Sequence, residues 1–209
     1  MVAMAYPKTF ASREAADEDV ILIERALEGD LPAFESLVSR YQTRIVAYAA
    51  RMLSDHDEAE DVAQETFIKA FRSLDSFRGA SSFSTWLYRI ATNLCIDRAR
   101  TKKRRPQQAY SLDEPFDRDD NSGTREIADF SEEPSRGVER EELRRQVRMT
   151  VAEMPDKLRA VLVMCDIQGM TYEQIAQVLE CPIGTVKSRL FHARADLARR
   201  LRPYMNGVK

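Results

Sequence analysis

Apolar residues recur at steps of three and four along most of this 209-residue chain, and this spacing constrains the fold more than any other feature. Such steps place residues on one face of an α-helix, whereas a half-buried strand would need strict alternation. The first half of the chain contains three apolar stripes of this kind. Their members are Phe34, Leu37, Val38, Tyr41, Ile45, Ala49, Met52 and Leu53; Ala59, Val62, Ala63, Phe67, Ala70, Phe71 and Leu74; and Phe83, Trp86, Leu87, Ile90, Ala91 and Leu94. Three amphipathic helices predict a bundle, so we expect an all-α fold.

The helical spacing stops between residues 106 and 137, where the composition changes. Five Pro and Gly residues punctuate this segment, and residues 113–133 carry nine acidic side chains against two basic ones. Segments with few apolar residues and a high net charge cannot bury a core and stay flexible. We therefore predict two small helical domains, residues 18–105 and 138–209, joined by a flexible acidic linker at 106–137. Residues 1–17 are polar and unpatterned and are predicted to form a disordered tail.

The second domain contains the pattern of a helix-turn-helix. Thr171 followed by Gln174 is a capping-box sequence that predicts the start of a short helix. Residues 180–182 break that helix, and residues 183–201 resume the helical pattern. Glu180 occupies the turn position where glycine is common, which predicts either a strained backbone or an altered turn there. The second of these helices is a candidate recognition helix for the major groove.

Aromatic rings alternate with positive charge in residues 72–105. Nine basic side chains stand against two acidic ones in this segment, and Phe77, Phe83, Trp86 and Tyr88 lie among them. Rings can stack on unpaired bases and basic groups neutralise phosphates, so this pattern suits a single nucleic-acid strand. The formal net charge of −2 does not oppose this interpretation, because the charges are segregated into blocks.

Composition disfavours several other classes of protein. Three cysteines without a Cys-x-x-Cys pair predict neither a disulfide framework nor a zinc site, and the chain has no long apolar run for membrane insertion. The acidic cluster in residues 55–65 lacks the glycine of a calcium loop, and His56-Asp57 has only one further histidine to complete a metal site. We therefore expect a cytoplasmic protein without cofactor or metal.

Two blocks of the sequence resemble a known family. Residues 61–71 read DVAQETFIKAF and are followed by FRG at 77–79 and TWLYRIATN at 85–93. These are similar to the second conserved region of bacterial extracytoplasmic-function sigma factors of the sigma-E type. Residues 171–190, ending GTVKSRL, are similar to the fourth region of the same family. Both blocks stand in the family's order.

The resemblance implies a dissociable initiation subunit of bacterial RNA polymerase that performs no catalysis itself. Its first domain would bind the clamp coiled coil of the largest polymerase subunit, and would recognise and melt the minus-ten promoter element. Its second domain would sit on the flap of the next subunit and read the minus-thirty-five element as duplex. Members of the family are commonly held by an anti-sigma factor, so such a partner is expected. Free in solution, the flexible linker would let the two domains approach each other and mask DNA binding.

The resemblance also implies site residues. Expected core-polymerase contacts are Asp61, Gln64, Glu65 and Phe67. Expected minus-ten contacts are Phe77, Arg78, Ser81, Ser82, Tyr88, Arg89, Asn93, Arg98 and Arg100. Expected minus-thirty-five contacts are Thr185, Lys187, Ser188, Arg189, Phe191 and His192. His192 departs from the family, whose members often have Arg at this position.

Several of these residues have a purely structural alternative. The acidic cluster and the basic residues 98–105 would also suit solvated helix faces and ends. Phe83 and Trp86 continue an apolar stripe and are expected in the core, whereas Tyr88 and Arg89 lie off it and could reach DNA.

Two other functions remain open at the level of the whole chain. A stand-alone helix-turn-helix regulator would bind duplex DNA without polymerase, but it would leave the aromatic and basic segment unexplained. A serine recombinase would need an αβ catalytic domain around its nucleophile, which the all-helical pattern disfavours.

Overall fold

Eight α-helices make up the computed structural model, which describes the backbone of residues 13–104 and 134–205 and the side chains of 18–102 and 141–204. The helices are α1 (Arg13–Leu27), α2 (Leu31–Leu53), α3 (His56–Arg72), α4 (Phe83–Arg104), α5 (Pro134–Ala152), α6 (Asp156–Leu162), α7 (Tyr172–Leu179) and α8 (Ile183–Met205). A 3-10 turn, Leu74–Ser76, follows α3, and a π-helical turn, Val163–Ile167, follows α6. These backbone ranges contain no strand, which confirms the predicted all-α fold of two helical domains.

The N-terminal domain is a bundle of α1 to α4 that buries most members of the three predicted stripes. Asp30 and Asp55 cap α2 and α3, and their carboxylates accept hydrogen bonds from backbone N–H groups at 3.4 and 3.1 Å. Between these helices Ser54 takes a left-handed conformation with φ 58°, which lets the chain reverse direction. Buried Asp19 fastens α1 to α2, because its carboxylate accepts hydrogen bonds from the Tyr41 hydroxyl and from Arg40.

Two boundaries differ from the sequence prediction. Helix α1 begins at Arg13, inside the predicted tail 1–17, because the run Arg13-Glu14-Ala15-Ala16 consists of good helix formers. Helix α5 begins at Pro134, inside the predicted linker 106–137, because proline is favoured in a first helical turn. The rest of the tail and of the linker lies outside the described residues.

The C-terminal domain consists of α5 to α8. Gly169 takes a φ of +69° where the chain turns from the π-helical segment towards α7. Val186 on α8 is fully buried, and it holds α8 against the short helix before it. Helices α7 and α8 thereby form the predicted helix-turn-helix.

The two domains pack against each other. Helix α4 lies along α7, and α2 touches α5 and the π-helical segment. Buried apolar residues of both domains, among them Tyr48, Met52, Met154 and Met164, belong to one continuous core. The structure is therefore a closed arrangement in which the C-terminal domain covers one side of the N-terminal bundle.

Candidate nucleic-acid interface

One face of α4 carries three of the residues predicted to meet the minus-ten element. Arg89, Asn93 and Arg100 follow each other at steps of four and seven, which places them on the same side of the helix. Asn93 and Arg100 are exposed and Arg89 is half-buried. The face therefore offers one amide for a base edge and two guanidinium groups for phosphates.

The loop before α4 brings an aromatic ring to the end of this face. Phe77 is half-buried and packs against Phe83 and Trp86, with ring centroids 5.9 and 5.3 Å apart. Arg78 is exposed beside it, and Gly79 takes a φ of +68°, a conformation that L side chains rarely adopt. Phe83 and Trp86 are buried, as predicted, and they form the wall on which Phe77 rests.

The two serines of this loop are engaged within the protein. The Ser82 hydroxyl accepts a hydrogen bond from the Thr85 backbone N–H at 3.1 Å and lies 2.8 Å from the Thr85 hydroxyl, so it caps the first turn of α4. The Ser81 hydroxyl donates to the Ser82 carbonyl at 3.3 Å. Both serines thus shape the loop that presents Phe77.

Tyr88 corrects the sequence analysis, which expected it to lie off the apolar face. It is only 2% exposed, packs edge-on against Tyr48 at 5.2 Å, and donates a hydrogen bond to Gln168 Oε1 at 2.8 Å. Burial raises the pKa of its phenol. Helix α4 has a second buried side, where the C-terminal domain packs. The apolar stripe in the sequence marks only the side that faces the bundle, so it does not reveal this one.

The basic end of α4 is paired with the acidic start of α3. Arg98 lies 3.4 Å from Glu65 and 3.9 Å from Asp61, and Lys102 lies 3.3 Å from Glu58. The pKa of Glu65 is lowered mainly by its hydrogen bond from Lys69, with Arg98 adding to the effect and partial burial opposing it. Residues predicted for polymerase and for DNA are thus direct neighbours.

The exposed face of α3 differs in part from the predicted polymerase contacts. Asp61 and Gln64 are exposed and Glu65 is half-buried, but Phe67 is only 7% exposed and belongs to the bundle core. The sequence analysis placed Phe67 both in an apolar stripe and among the expected polymerase contacts, and its burial agrees with the stripe and leaves little of the ring for a partner.

Two large apolar side chains continue the acidic face of α3 instead. Ile68 is 50% exposed and Phe71 is 48% exposed. They lie four and seven residues after Gln64, a spacing that could have marked them in the sequence. Phe71 was expected in the core, but only one edge of its ring packs, against Phe34 at 4.9 Å.

The helix-turn-helix has the local chemistry that the sequence predicts. The Thr171 hydroxyl accepts from the Gln174 N–H at 3.3 Å, and Gln174 Oε1 accepts from the Thr171 N–H at 2.9 Å, which completes the capping box. Glu180 takes a left-handed conformation with φ 48°, which confirms a strained backbone rather than an altered turn.

Helix α8 presents an exposed face next to this turn. Its exposed residues are Lys187, Ser188, Phe191 and His192. Phe191 is 71% exposed, which is unusual for a phenylalanine. Thr185 and Arg189 are half-buried, and the Arg189 guanidinium rests 3.8 Å from the Cys181 sulfur. A cation, a hydroxyl, a ring and an imidazole together can read base edges and a thymine methyl in the major groove.

The described residues offer neither a cluster of metal-binding side chains nor a helix that could span a membrane. Histidine, cysteine and carboxylate side chains nowhere gather there in a group of three that could hold a metal ion. Among the same residues, no helix is long and apolar enough to cross a membrane.

The bundle has an aromatic and basic face, and it is joined to a helix-turn-helix with an exposed recognition helix. This combination defines a class of DNA-binding transcription protein. Two family models narrow this class. The model of sigma-70 region 2 matches residues 37–105, and the model of sigma-70 region 4 matches residues 144–197. The RNA polymerase sigma-H factor of Pseudomonas aeruginosa is 41% identical over 90% of this chain and 96% of its own. The ECF RNA polymerase sigma-E factor of Haemophilus influenzae is 39% identical over 90% of this chain and 97% of its own.

A solved structure shares the fold over most of its length. It is the sigma factor RpoE of Bartonella quintana in complex with the anti-sigma factor NepR, with a TM-score of 0.59 and 26% identity over 81% of this chain and 96% of that one. The chain belongs to the extracytoplasmic-function family of bacterial RNA polymerase sigma factors. It is an alternative sigma factor that directs promoter-specific transcription initiation, which confirms the resemblance read from the sequence.

Proposed function

We propose that the two exposed faces divide promoter recognition between the domains. The α4 face with its aromatic loop takes the melted minus-ten strand, and α8 reads the minus-thirty-five duplex. The observation that carries this proposal is the exposure of Asn93 and of Phe191 on two separate helical domains, each beside basic side chains. The working units are the predicted domains 18–105 and 138–209, extended by the helical residues that precede each.

At the minus-ten element, Phe77 and Asn93 have the chemistry to read a base that has left the stack. The ring of Phe77 supplies a stacking surface, and the Asn93 amide supplies both a donor and an acceptor. The other members of this site act on the phosphates or shape the loop: Arg78, Arg89, Arg98, Arg100, Ser81 and Ser82. Because Tyr88 is buried, it has no direct contact with the strand in this proposal.

At the minus-thirty-five element, the exposed side chains of α8 enter the major groove. Lys187, Ser188 and His192 meet base edges or phosphates, and Phe191 packs against thymine methyl groups. Thr185 and Arg189 lie at the groove edge and contact phosphates. His192 offers one donor and one acceptor when neutral, where arginine would offer two donors to guanine.

Core polymerase binds through the exposed face of α3, which we define as Asp61, Gln64, Glu65, Ile68 and Phe71. An apolar centre with a charged rim is the usual anatomy of a protein interface. The partner is the clamp coiled coil of the largest subunit, and the C-terminal domain meets the flap of the next one. The α3 face replaces the predicted set that included Phe67.

The remaining parts of the proposal follow from these partners. Polymerase performs the chemistry, so the chain itself has no catalytic role, no cofactor and no metal. It acts in the cytoplasm, where polymerase and chromosome are. An anti-sigma factor is a further partner, because the Bartonella relative of the same fold is held by one.

The test is transcription in vitro with purified core polymerase and a library of promoter fragments. The chain should add discrete 5′ ends that core polymerase alone does not produce. Asn93→Ala should weaken these products at least about tenfold, since it removes a polar contact to an unpaired base. Gln42→Ala is the matched control, because it removes an exposed amide on α2 that belongs to neither face. Products that are equally strong with both variants would refute the role of the α4 face.

A further inference from the structure

Arg194 on α8 lies on the same side of that helix as two of the proposed minus-thirty-five contacts. It follows Phe191 by three residues and Lys187 by seven, a spacing that puts the three side chains in one row. The row borders a shallow hollow that is also lined by Tyr172, at the start of α7. The row therefore contains two cations, Lys187 and Arg194, with the exposed Phe191 ring between them.

The guanidinium of Arg194 is held at two points by one carboxylate. Its Nε donates to Asp166 Oδ2 at 3.1 Å, and its Nη2 donates to Asp166 Oδ1. Nη2 also lies 3.8 Å from the sulfur of Cys165. Two parallel bonds fix the plane of a guanidinium as well as its position. Nη1 has no acceptor among the described residues, so its two N–H groups remain for a ligand.

The carboxylate comes from a different part of the domain. On α8 itself, no acidic residue lies three or four positions from Arg194. Asp166 lies 28 residues earlier, in the π-helical turn Val163–Ile167. Val163 and Met164 of this turn are buried, whereas Asp166 is exposed and faces α8. Turns of this kind occur frequently at functional sites.

A contribution to stability is a weak account of this pair. The side chain of Arg194 is 51% exposed and that of Asp166 is 35% exposed, and exposed ion pairs contribute little to folding. Positioning is a stronger account. Fixing a long, mobile side chain at an interface lowers affinity about two- to tenfold, and the guanidinium of Arg194 is already fixed before DNA arrives.

The carboxylate leaves Arg194 able to bind a phosphate. Asp166 occupies the edge of the guanidinium formed by Nε and Nη2, and a phosphate can approach from the other end, at Nη1. The two negative groups then stand on opposite sides of one cation, where water and salt screen their repulsion. A cation that neutralises one phosphate releases counterions, so its contribution to binding depends on the salt concentration.

We propose that Arg194 is a further phosphate contact at the minus-thirty-five element and that Asp166 is its positioning residue. Asp166 holds the guanidinium with Nη1 free, and Arg194 then neutralises one phosphate beside the groove that Lys187 and Phe191 enter. The inference rests on the proposed function of α8. It adds that a carboxylate outside the helix-turn-helix, which does not touch DNA, strengthens the binding of DNA.

The test measures the affinity of polymerase holoenzyme for a promoter duplex mapped as above, at salt concentrations from about 50 to 200 mM. Arg194→Ala should weaken binding about fivefold, and it should lower the slope of log affinity against log salt by about 0.9, the value for one phosphate. Asp166→Ala should weaken binding about threefold without lowering the slope, because the charge of Arg194 remains. Asp166→Ala should have no further effect in the Arg194→Ala chain.

The direction of the Asp166→Ala effect is diagnostic. Removing a negative charge beside DNA would by itself tighten binding, so weaker binding shows that the carboxylate acts through Arg194.

Two conservative variants apply the same test without truncating either side chain. Arg194→Lys keeps the charge but cannot bind two oxygens side by side, so it should keep the slope and weaken binding about threefold. Asp166→Glu can form the pair again and should recover most of the affinity. Thermal melting of each variant checks that the chain is folded.

The matched control is an ion pair of the same geometry on α5. Arg145 donates to Glu142 through Nε and Nη2, at 2.9 Å each, and its side chain is 55% exposed. Arg145→Ala and Glu142→Ala should leave the affinity and the slope at the values of the unsubstituted chain, because α5 carries none of the proposed DNA contacts.

The outcomes separate this inference from the proposed function. If holoenzyme prefers the duplex to one with a scrambled minus-thirty-five element, the function of α8 stands. An unchanged slope with Arg194→Ala would then overturn the phosphate contact, and equal or tighter binding with Asp166→Ala would overturn the positioning. Equal losses in the α5 control variants would overturn both, because they would show an effect of net charge alone. If holoenzyme shows no such preference, the proposed function and this inference are both wrong.

Discussion

Replacing Phe71 by alanine should weaken the complex with core polymerase by a large and calculable factor. A phenylalanine side chain buries about 150–250 Å² when enclosed, so the 48% of Phe71 that is exposed offers about 100 Å² to a partner. At about 25 cal/mol per Å², covering that area contributes about 2.5 kcal/mol. This corresponds to about a 70-fold increase in the dissociation constant of Phe71→Ala.

The assay is a titration of fluorescently labelled chain with core polymerase. Phe71→Ala also loses the edge contact with Phe34, so its folding must be checked by thermal melting, with a loss of about 1 kcal/mol expected. Ile68→Ser tests the same surface without disturbing that ring pair. Met149→Ser is the control, since Met149 is 46% exposed but lies on α5. Dissociation constants within about threefold of the unsubstituted chain for both α3 variants would refute the reasoning.

Three further predictions concern the C-terminal domain. His192→Arg should tighten binding to guanine-containing minus-thirty-five elements by at least about fivefold, because arginine donates twice to guanine; equal affinities of the two forms across a promoter library would reject it. Glu180→Gly should raise the melting temperature by about 1–3 °C, because glycine relieves the left-handed strain at φ 48°, and a lower melting temperature would contradict that account. Cys165 should be alkylated at pH 8 at least about tenfold more slowly than glutathione. Burial, aided by Asp166, raises the pKa of its thiol to about 11 and leaves little thiolate. Equal rates would show that the thiol is accessible and that its pKa is not raised.

The helical architecture could be predicted from the sequence because its signals are local. Apolar spacing identifies the helices of the bundle, and the Thr171 and Gln174 pair identifies the start of α7 to the residue. The strain at Glu180 could be anticipated as well, because few residues other than glycine suit that turn. The start of α5 at Pro134 is harder to predict. Few residues of this helix are apolar, so it lacks the apolar spacing that marks the other helices.

The faces of the helices were harder to assign than the helices themselves. Phe67 and Phe71 belong to the same stripe, yet one is 7% exposed and the other 48%. Their difference is a tertiary property, because Phe67 belongs to the bundle core whereas Phe71 packs against Phe34 from outside it. Tyr88 was misassigned for a related reason, since its burial comes from contacts in both domains, with Tyr48 of its own bundle and with Gln168 of the other domain.

The burial of Arg159 on α6 had no signal in the sequence. An arginine in an amphipathic helix normally lies in water or snorkels towards it, and nothing in the neighbouring residues marks this one as buried. Its guanidinium donates to backbone carbonyls at the ends of two helices, α2 and α5, that lie about a hundred residues apart in sequence. Such long-range polar links are visible only once the domains are placed together.

The most direct test of the central claim is permanganate footprinting of a promoter that the chain activates. Permanganate oxidises thymines only where strands are unpaired. With both the chain and core polymerase present, thymines of the minus-ten element should become reactive, and Asn93→Ala should suppress that reactivity while Gln42→Ala should not. Reactivity equal to that of core polymerase alone would contradict the account.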